Sequence, residues 1–150
     1  MANISRDVPL AELTLRRYEK PYAGNKRELT RKLCLSIGLL QPGDSRDVIV
    51  DILQVLLNAK KAKKELSSEE IKDLAIQLRK KSNLPLKGIA SSNVRRQLKR
   101  LKDIYLIETR QNMYRITEFE ELSVLFDKKI KDMYLNAIIE RVKEHFDAIK

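Results

Sequence analysis

Residues 91–102 bring together five basic side chains and no acidic one, and a helical register sorts them onto two faces. At about 100° per residue, Val94, Leu98 and Leu101 fall on one side, and the opposite side carries Ser92, Arg96, Lys99 and Arg100, flanked by Asn93 and Arg95. The chemistry open to such a helix is recognition of negative charge. Arg and Asn match phosphate oxygens and the donor and acceptor edges of bases, and a duplex major groove is wide enough for one helix. The small polar residues Ser91, Ser92 and Asn93 let the helix N-terminus, with its free N–H groups and positive dipole end, come close to an anion. Taken alone, the segment reads equally well as a basic amphipathic helix solvated on its outer face.

Residues able to do covalent or acid–base chemistry are sparse. His145 is the only histidine and Cys34 the only cysteine, so neither a cysteine zinc site nor a histidine-based triad can be assembled, and no disulfide can form within the chain. Cys34 sits in Leu33-Cys34-Leu35 and reads as a small buried apolar residue. The carboxylate pairs Asp44 with Asp47 and Glu69 with Glu70 fall where helices begin and are explained by the dipole there. Gly24-Asn25-Lys26 has a superficial likeness to a phosphate loop but lacks its glycine spacing and its Gly-Lys-Ser/Thr core. Tyr105, Tyr114 and Tyr134 can stack on bases, but strand and helix positions favour core or interface roles for them. No catalytic activity, cofactor or metal is expected.

The remaining composition agrees with a charged partner. The 150 residues carry a net charge of +10, and the excess is uneven: residues 118–150 hold 6 basic and 8 acidic side chains, which leaves +12 on the first 117. Such a surface is complementary to nucleic acid first and to an anionic membrane surface second. No apolar run approaches the ~20 residues needed to span a bilayer, and Met1–Asp7 has no apolar signal region, so a cytoplasmic protein is expected.

Several elements must position this helix. Residues 1–43 read as a helical extension with two helices, Val8 to Lys20 and Lys26 to Ile37, the second capped by Asn25 with Glu28 and stopped at Gly38. Leu10, Leu13, Leu29, Leu33 and Ile37 are expected to pack on the domain C-terminal to them. Asp44 and Asp47 open a helix to Lys60 through Val48, Ile49, Ile52, Val55 and Leu56. The run Lys60–Lys64 reads as a solvated helix end. Ser67 and Glu70 form a capping box for a helix through Ile71, Leu74, Ala75 and Leu78 to Lys81. Residues 82–88 are a loop broken by Pro85 and Gly88. After the basic helix, 105–109 and 113–117 form a hairpin joined by Arg110-Gln111-Asn112. Thr117 with Glu120 then starts a helix without Gly or Pro through Lys150. Its apolar positions Phe119, Leu122, Phe126, Ile130, Met133, Ile138, Val142, Phe146 and Ile149 recur at three- and four-residue steps with one slip of five, as a helix–helix seam does.

A cationic helix followed at once by a short β-ribbon resembles the winged-helix transcriptional regulators, most closely prokaryotic and archaeal ones. The likeness is strongest from Val94 to Thr117, across Gln97-Leu98-Lys99-Arg100-Leu101-Lys102-Asp103-Ile104-Tyr105-Leu106-Ile107-Glu108 and Met113-Tyr114-Arg115-Ile116-Thr117, and extends over about 44–122. It implies a mainly α fold with a small β-hairpin wing: a helical extension (1–43), a winged helix-turn-helix domain (44–117) and a long C-terminal helix (118–150) that makes a homodimer, or leaves a monomer if the N-terminal helices cover its seam. It also implies duplex DNA as partner. Ser92, Asn93, Arg95, Arg96, Lys99 and Arg100 become helix contacts in the major groove, and Arg110, Gln111, Asn112 and Arg115 wing contacts. Two glycines common in the family are missing here, one replaced by Ile104-Tyr105 and one by the region of Phe119-Glu120. The rival readings of the same elements are a module for protein interaction and one for RNA, because fold does not fix function.

Overall fold

The computed structural model describes residues 6–22 and 24–150. Four helices, α1 (Lys26–Ser36), α2 (Val48–Lys61), α3 (Ser68–Lys81) and α4 (Ser91–Asp103), are arranged with α2 at the centre. The sequence of α2 explains that position. Val48, Ile49, Val50, Ile52, Leu53, Val55 and Leu56 are all buried, so the helix is apolar on nearly every side and is covered by the other three. Local signals set most boundaries. Ser67 Oγ accepts from the amide of Glu70 while Glu70 Oε1 accepts from the amide of Ser67, the full capping box of α3. Asn25 Oδ1 accepts from the amide of Glu28 at 2.8 Å to start α1, and Gly38 follows its end with φ +77°. Thr14 stands where a side chain on Gly38 would lie, so glycine is required there for space as well as for backbone conformation.

A three-stranded antiparallel sheet closes one side: β1 (Leu66–Ser67), β2 (Ile107–Arg110) and β3 (Met113–Ile116), in the order β1-β3-β2. The hairpin register pairs Ile107 with Ile116, Glu108 with Arg115, Thr109 with Tyr114 and Arg110 with Met113. Its turn is the pair Gln111-Asn112, both at positive φ (53° and 62°), rather than the three-residue connection expected from Arg110 onward. β1 is absent from the sequence expectations, because two residues are too short to show a period of two. Leu66 is nonetheless buried and opposes Tyr114.

Four further expectations are corrected. Residues 9–22 form no helix but an extended strap across the end of α1. The Arg16 amide donates to Ser36 O at 2.8 Å, its guanidinium to Leu35 O and Leu40 O, and only Leu13, Arg16 and Tyr18 turn inward. A lone amphipathic turn is marginal, and these long-range bonds outweigh it. Leu10 therefore does not pack inward as expected and is 94% exposed, while Leu29 is 41% exposed. Asp47 does not cap α2 with its side chain. Thr117 and Glu120 form no capping box: Thr117 Oγ1 donates to Tyr105 O at 2.9 Å, one 3₁₀ turn (Thr117–Phe119) intervenes, and the last helix begins only at Leu122. That helix, α5, winds as α over Leu122–Leu125, as π over Phe126–Leu135 and as α over Asn136–Ala148, with helical backbone angles at both junctions. A wider winding absorbs the five-residue slip in its apolar pattern.

One core joins the described elements up to Ile130. Cys34, Leu35, Ile37, Leu39 and Leu40 from the first segment and Leu125 and Ile130 from the last join the buried side chains of α2, α3, α4 and the sheet in a single cluster.

Candidate nucleic-acid interface

α4 owes its orientation to Val94, Leu98 and Leu101, which are buried against α2 and α3 and push the charged side chains outward. Ser92, Arg95, Arg96, Lys99 and Lys102 are exposed along the opposite side. Among the described residues Arg95 and Lys102 have no side-chain hydrogen bond or ion pair. Arg96 Nη2 donates to Asn93 Oδ1 at 2.8 Å, and Lys99 meets Asp103 at 3.0 Å, both partners well exposed. Lys102 is one of the five basic residues of the segment but not one of the predicted contacts. It is exposed beside the predicted set, on the flank of the same buried anchor.

Two of the predicted helix contacts point elsewhere. Asn93 is spent on the loop before the helix, with Nδ2 donating to Gly88 O at 2.6 Å while Oδ1 accepts from Arg96 and Gln97. It holds the N-terminus of α4 in place, where the N-cap residue, Ala90, supplies no side-chain acceptor. Arg100 is half-buried, donating from Nη1 to Gln97 Oε1 at 2.8 Å and from Nη2 to Gly38 O at 3.3 Å. The helical wheel puts it on the outer face, but the chain after α1 closes over that edge.

The hairpin is less cationic than its sequence suggests. Arg110 pairs with Glu65 at 3.1 Å and Arg115 with Glu108 at 2.6 Å, the Arg115 guanidinium also lying 4.8 Å from the centre of the Phe119 ring. Burial pushes the Glu108 carboxyl up, but the Glu118 amide and Arg115 together hold it below the usual glutamate range. Gln111 and Asn112 are exposed at the tip. Tyr105 adopts the left-handed conformation (φ +65°) and sets its ring edge-on to Tyr134 of α5 with centroids 5.9 Å apart.

The strongest electrostatic feature lies inside. Arg79, 1% exposed, reaches Asp51 Oδ2 at 2.6 Å and Asp47 Oδ1 at 3.0 Å, and its Nε donates to Pro85 O at 2.6 Å. Arg27 reaches the other oxygen of Asp47, and Asp51 as well, both at 3.2 Å. This cluster pins α1, α2, α3 and the loop leading to α4 to one another, so it positions the basic helix without touching the surface. Sequence reasoning misses it because the paired residues are 20 to 32 positions apart, and Asp47, Asp51 and Arg79 each have a local explanation as a helix-end charge.

No group of His, Cys, Asp or Glu side chains arranged to hold a metal ion occurs among the described residues, and no described helix is long and apolar enough to cross a membrane. Compared with family models, curated proteins and solved structures, the chain matches none of them. What stands on its own is a mainly helical chain with a small antiparallel sheet and one exposed cationic helix face.

Proposed function

We propose that this chain is a winged-helix DNA-binding protein, a transcriptional regulator that sets α4 into the major groove of a duplex and rests the β2–β3 hairpin near the backbone. The observation that carries the reading is the outer face of α4, where Arg95, Arg96, Lys99 and Lys102 stand exposed against a buried apolar anchor. Only Lys99 among them meets a carboxylate. Side chains so arranged gain by displacing counterions from phosphates and by presenting forked donors to base edges. The element order, helix, strand, helix, helix and hairpin with the first strand joined to the hairpin, supports a winged helix-turn-helix. With Arg110 and Arg115 already paired to carboxylates, the hairpin is assigned a steric and polar role through Gln111 and Asn112.

The reading includes a homodimer through residues 118–150. The last stretch of α5, Asn136–Ala148, has no buried residue; Ile139, Val142 and Phe146 are exposed along it, and Ile149 just past its end. A second copy offers the same apolar stripe, and two copies would present two α4 helices to one duplex.

Fluorescence anisotropy with a mixed-sequence duplex between 50 and 200 mM salt tests the central claim. Arg96→Ala and Lys99→Ala are each expected to weaken binding and to lower the slope of log K against log salt by about 1, with unchanged thermal unfolding. Unchanged binding in both variants removes α4 from the interface. Preference for structured RNA over duplex DNA in competition would replace DNA as the partner.

A further inference from the structure

Beside the exposed face of α4, a cleft of about 240 Å³ opens between that helix and the chain from Leu39 to Ile49. Three arginines line it, Arg46, Arg96 and Arg100, against one acidic residue, Asp44. None of the three arginines makes an ion pair among the described residues.

The way they are held matters more than their number. Arg100 is fixed by the carbonyl of Gly38 and the amide oxygen of Gln97, and Arg96 by the amide oxygen of Asn93, itself locked onto Gly88. Every one of these acceptors is neutral. They orient the guanidinium groups and leave their charge uncompensated, in contrast to Arg27 and Arg79, whose charge is met by the carboxylates of Asp47 and Asp51. Arg46 is exposed and has no side-chain partner among the described residues. Val48 and Ile49, the first two residues of α2, form part of the same wall, and Asp47 leaves the start of that helix without a side-chain cap. Oriented forks of N–H donors beside a helix start suit a tetrahedral oxyanion better than a planar neutral group.

We infer that this cleft binds a phosphate group, and that the group is a backbone phosphodiester of the duplex flanking the groove in which α4 lies. The choice of source rests on the DNA-binding reading; the phosphate chemistry does not. Arg96 then bridges the two surfaces, and Arg46, outside α4 altogether, becomes a contact on the chain leading into α2. The sequence hides it between Ser45 and Asp47, in a stretch that reads as a helix start.

Arg46→Ala is the test, because an exposed side chain without partners can be removed with the fold intact, as an unchanged circular dichroism melt will verify. Duplex binding is measured by anisotropy from 50 to 200 mM salt for the wild type, for Arg46→Ala and for Lys99→Ala, whose side chain does not line the cleft. In parallel, pyrophosphate is titrated into the wild type and Arg46→Ala while the arginine Nε–H resonances are followed by NMR, with sodium chloride of equal ionic strength as the control. The expected result is a salt slope lower by about 1 and affinity lower by roughly 5- to 10-fold at 0.1 M salt in Arg46→Ala. If Lys99→Ala weakens binding and Arg46→Ala does not, the DNA reading stands and the phosphate site falls. If the wild type binds no duplex but pyrophosphate shifts the arginine resonances saturably in the wild type alone, the DNA reading falls and the cleft is a site for a free phosphorylated compound. No duplex effect and no resonance shift overturns the cleft altogether.

Discussion

Arg79 and Asp51 are the two most deeply buried charged residues described, at 1% and 2% exposure, and they show how strongly single side chains can constrain this fold. A buried ion pair gains little over a well-packed apolar pair, but removing one member strands the other in a medium that solvates it poorly. Arg79→Ala is therefore expected to cost about 3–5 kcal/mol, read as a lower urea midpoint. The neighbouring Asp47 makes the cluster sensitive to acid. Burial by itself pushes that carboxyl up, but hydrogen bonds and attraction from Arg79 and Arg27 outweigh it and hold the value below its ordinary 3.8. A group depressed in the folded state contributes stability above its unfolded value and loses it as pH falls through the folded one. Stability should thus be flat in this respect above about pH 5 and decline below about pH 4, and Asp47→Asn should flatten that decline. Cys34 provides an independent probe. Desolvation pushes its thiol up to about 12, with Arg100, Arg27 and Arg31 pulling the other way less strongly. Together with full burial this keeps the thiolate scarce and out of reach, so a thiol reagent at pH 8 should label Cys34 only on the timescale of unfolding.

Among the elements, the hairpin is where local chemistry and fold disagree most visibly. Gln111 and Asn112 both occupy the left-handed region, which asparagine tolerates and glutamine does not favour. Gln111→Asn combined with Asn112→Gly should accordingly raise stability by about 1 kcal/mol, measured by urea unfolding, and leave the strand register intact. The contrast explains how much of the fold is legible in the chain. Capping at Ser67 with Glu70, the breaks at Gly38 and Pro85, and the two faces of α4 depend on residues within one or two turns, and sequence displays them directly. The strap over 9–22 has apolar residues that also suit a helix, and only carbonyls some 20 residues distant, at Leu35, Ser36 and Leu40, decide against it. β1 exists because β3 is there to receive it. The same division runs through the candidate interface: Ser92, Arg95, Arg96 and Lys99 are legible, since one helix arranges them. Asn93, Arg100 and Arg46 take their roles from Gly88, Gly38 and the cleft beside them, and nothing within a turn of those residues announces it.

At the scale of the whole molecule, one core unites the chain up to about Ile130, and α5 then continues past it. The strap runs beside the helix, with Tyr134 Oη donating to Glu12 O at 3.1 Å and with Pro9, Leu10 and Ala11 lining one shallow cleft with Ile138, Arg141, Val142 and His145. The cleft leaves the apolar side chains there uncovered: Ile139, Val142, Phe146 and Ile149 are exposed, Phe146 at 74%, and Asn136–Ala148 has no buried residue. An isolated helix of this length is marginal in water, and an apolar stripe on it is a cost unless something covers it. Association of two copies along this stripe removes both objections at once, and ion pairs already formed within the helix, such as Lys143 with Asp147, can stay at the rim. Sedimentation velocity should therefore show a concentration-dependent dimer at micromolar protein, and Val142→Glu with Phe146→Glu should convert it to monomer. Both positions are exposed in the single chain, so the paired substitution should change the stability of the monomer by no more than about 0.5 kcal/mol per site. On the proposed DNA-binding role, the monomer should also bind duplex more weakly while keeping the salt slope of a single α4, because joining two copies of that helix multiplies affinity without changing either contact. A wild type that sediments as a monomer at every concentration would remove the second copy from this surface. It would leave binding through one α4 untouched, since no residue proposed for that contact lies on α5.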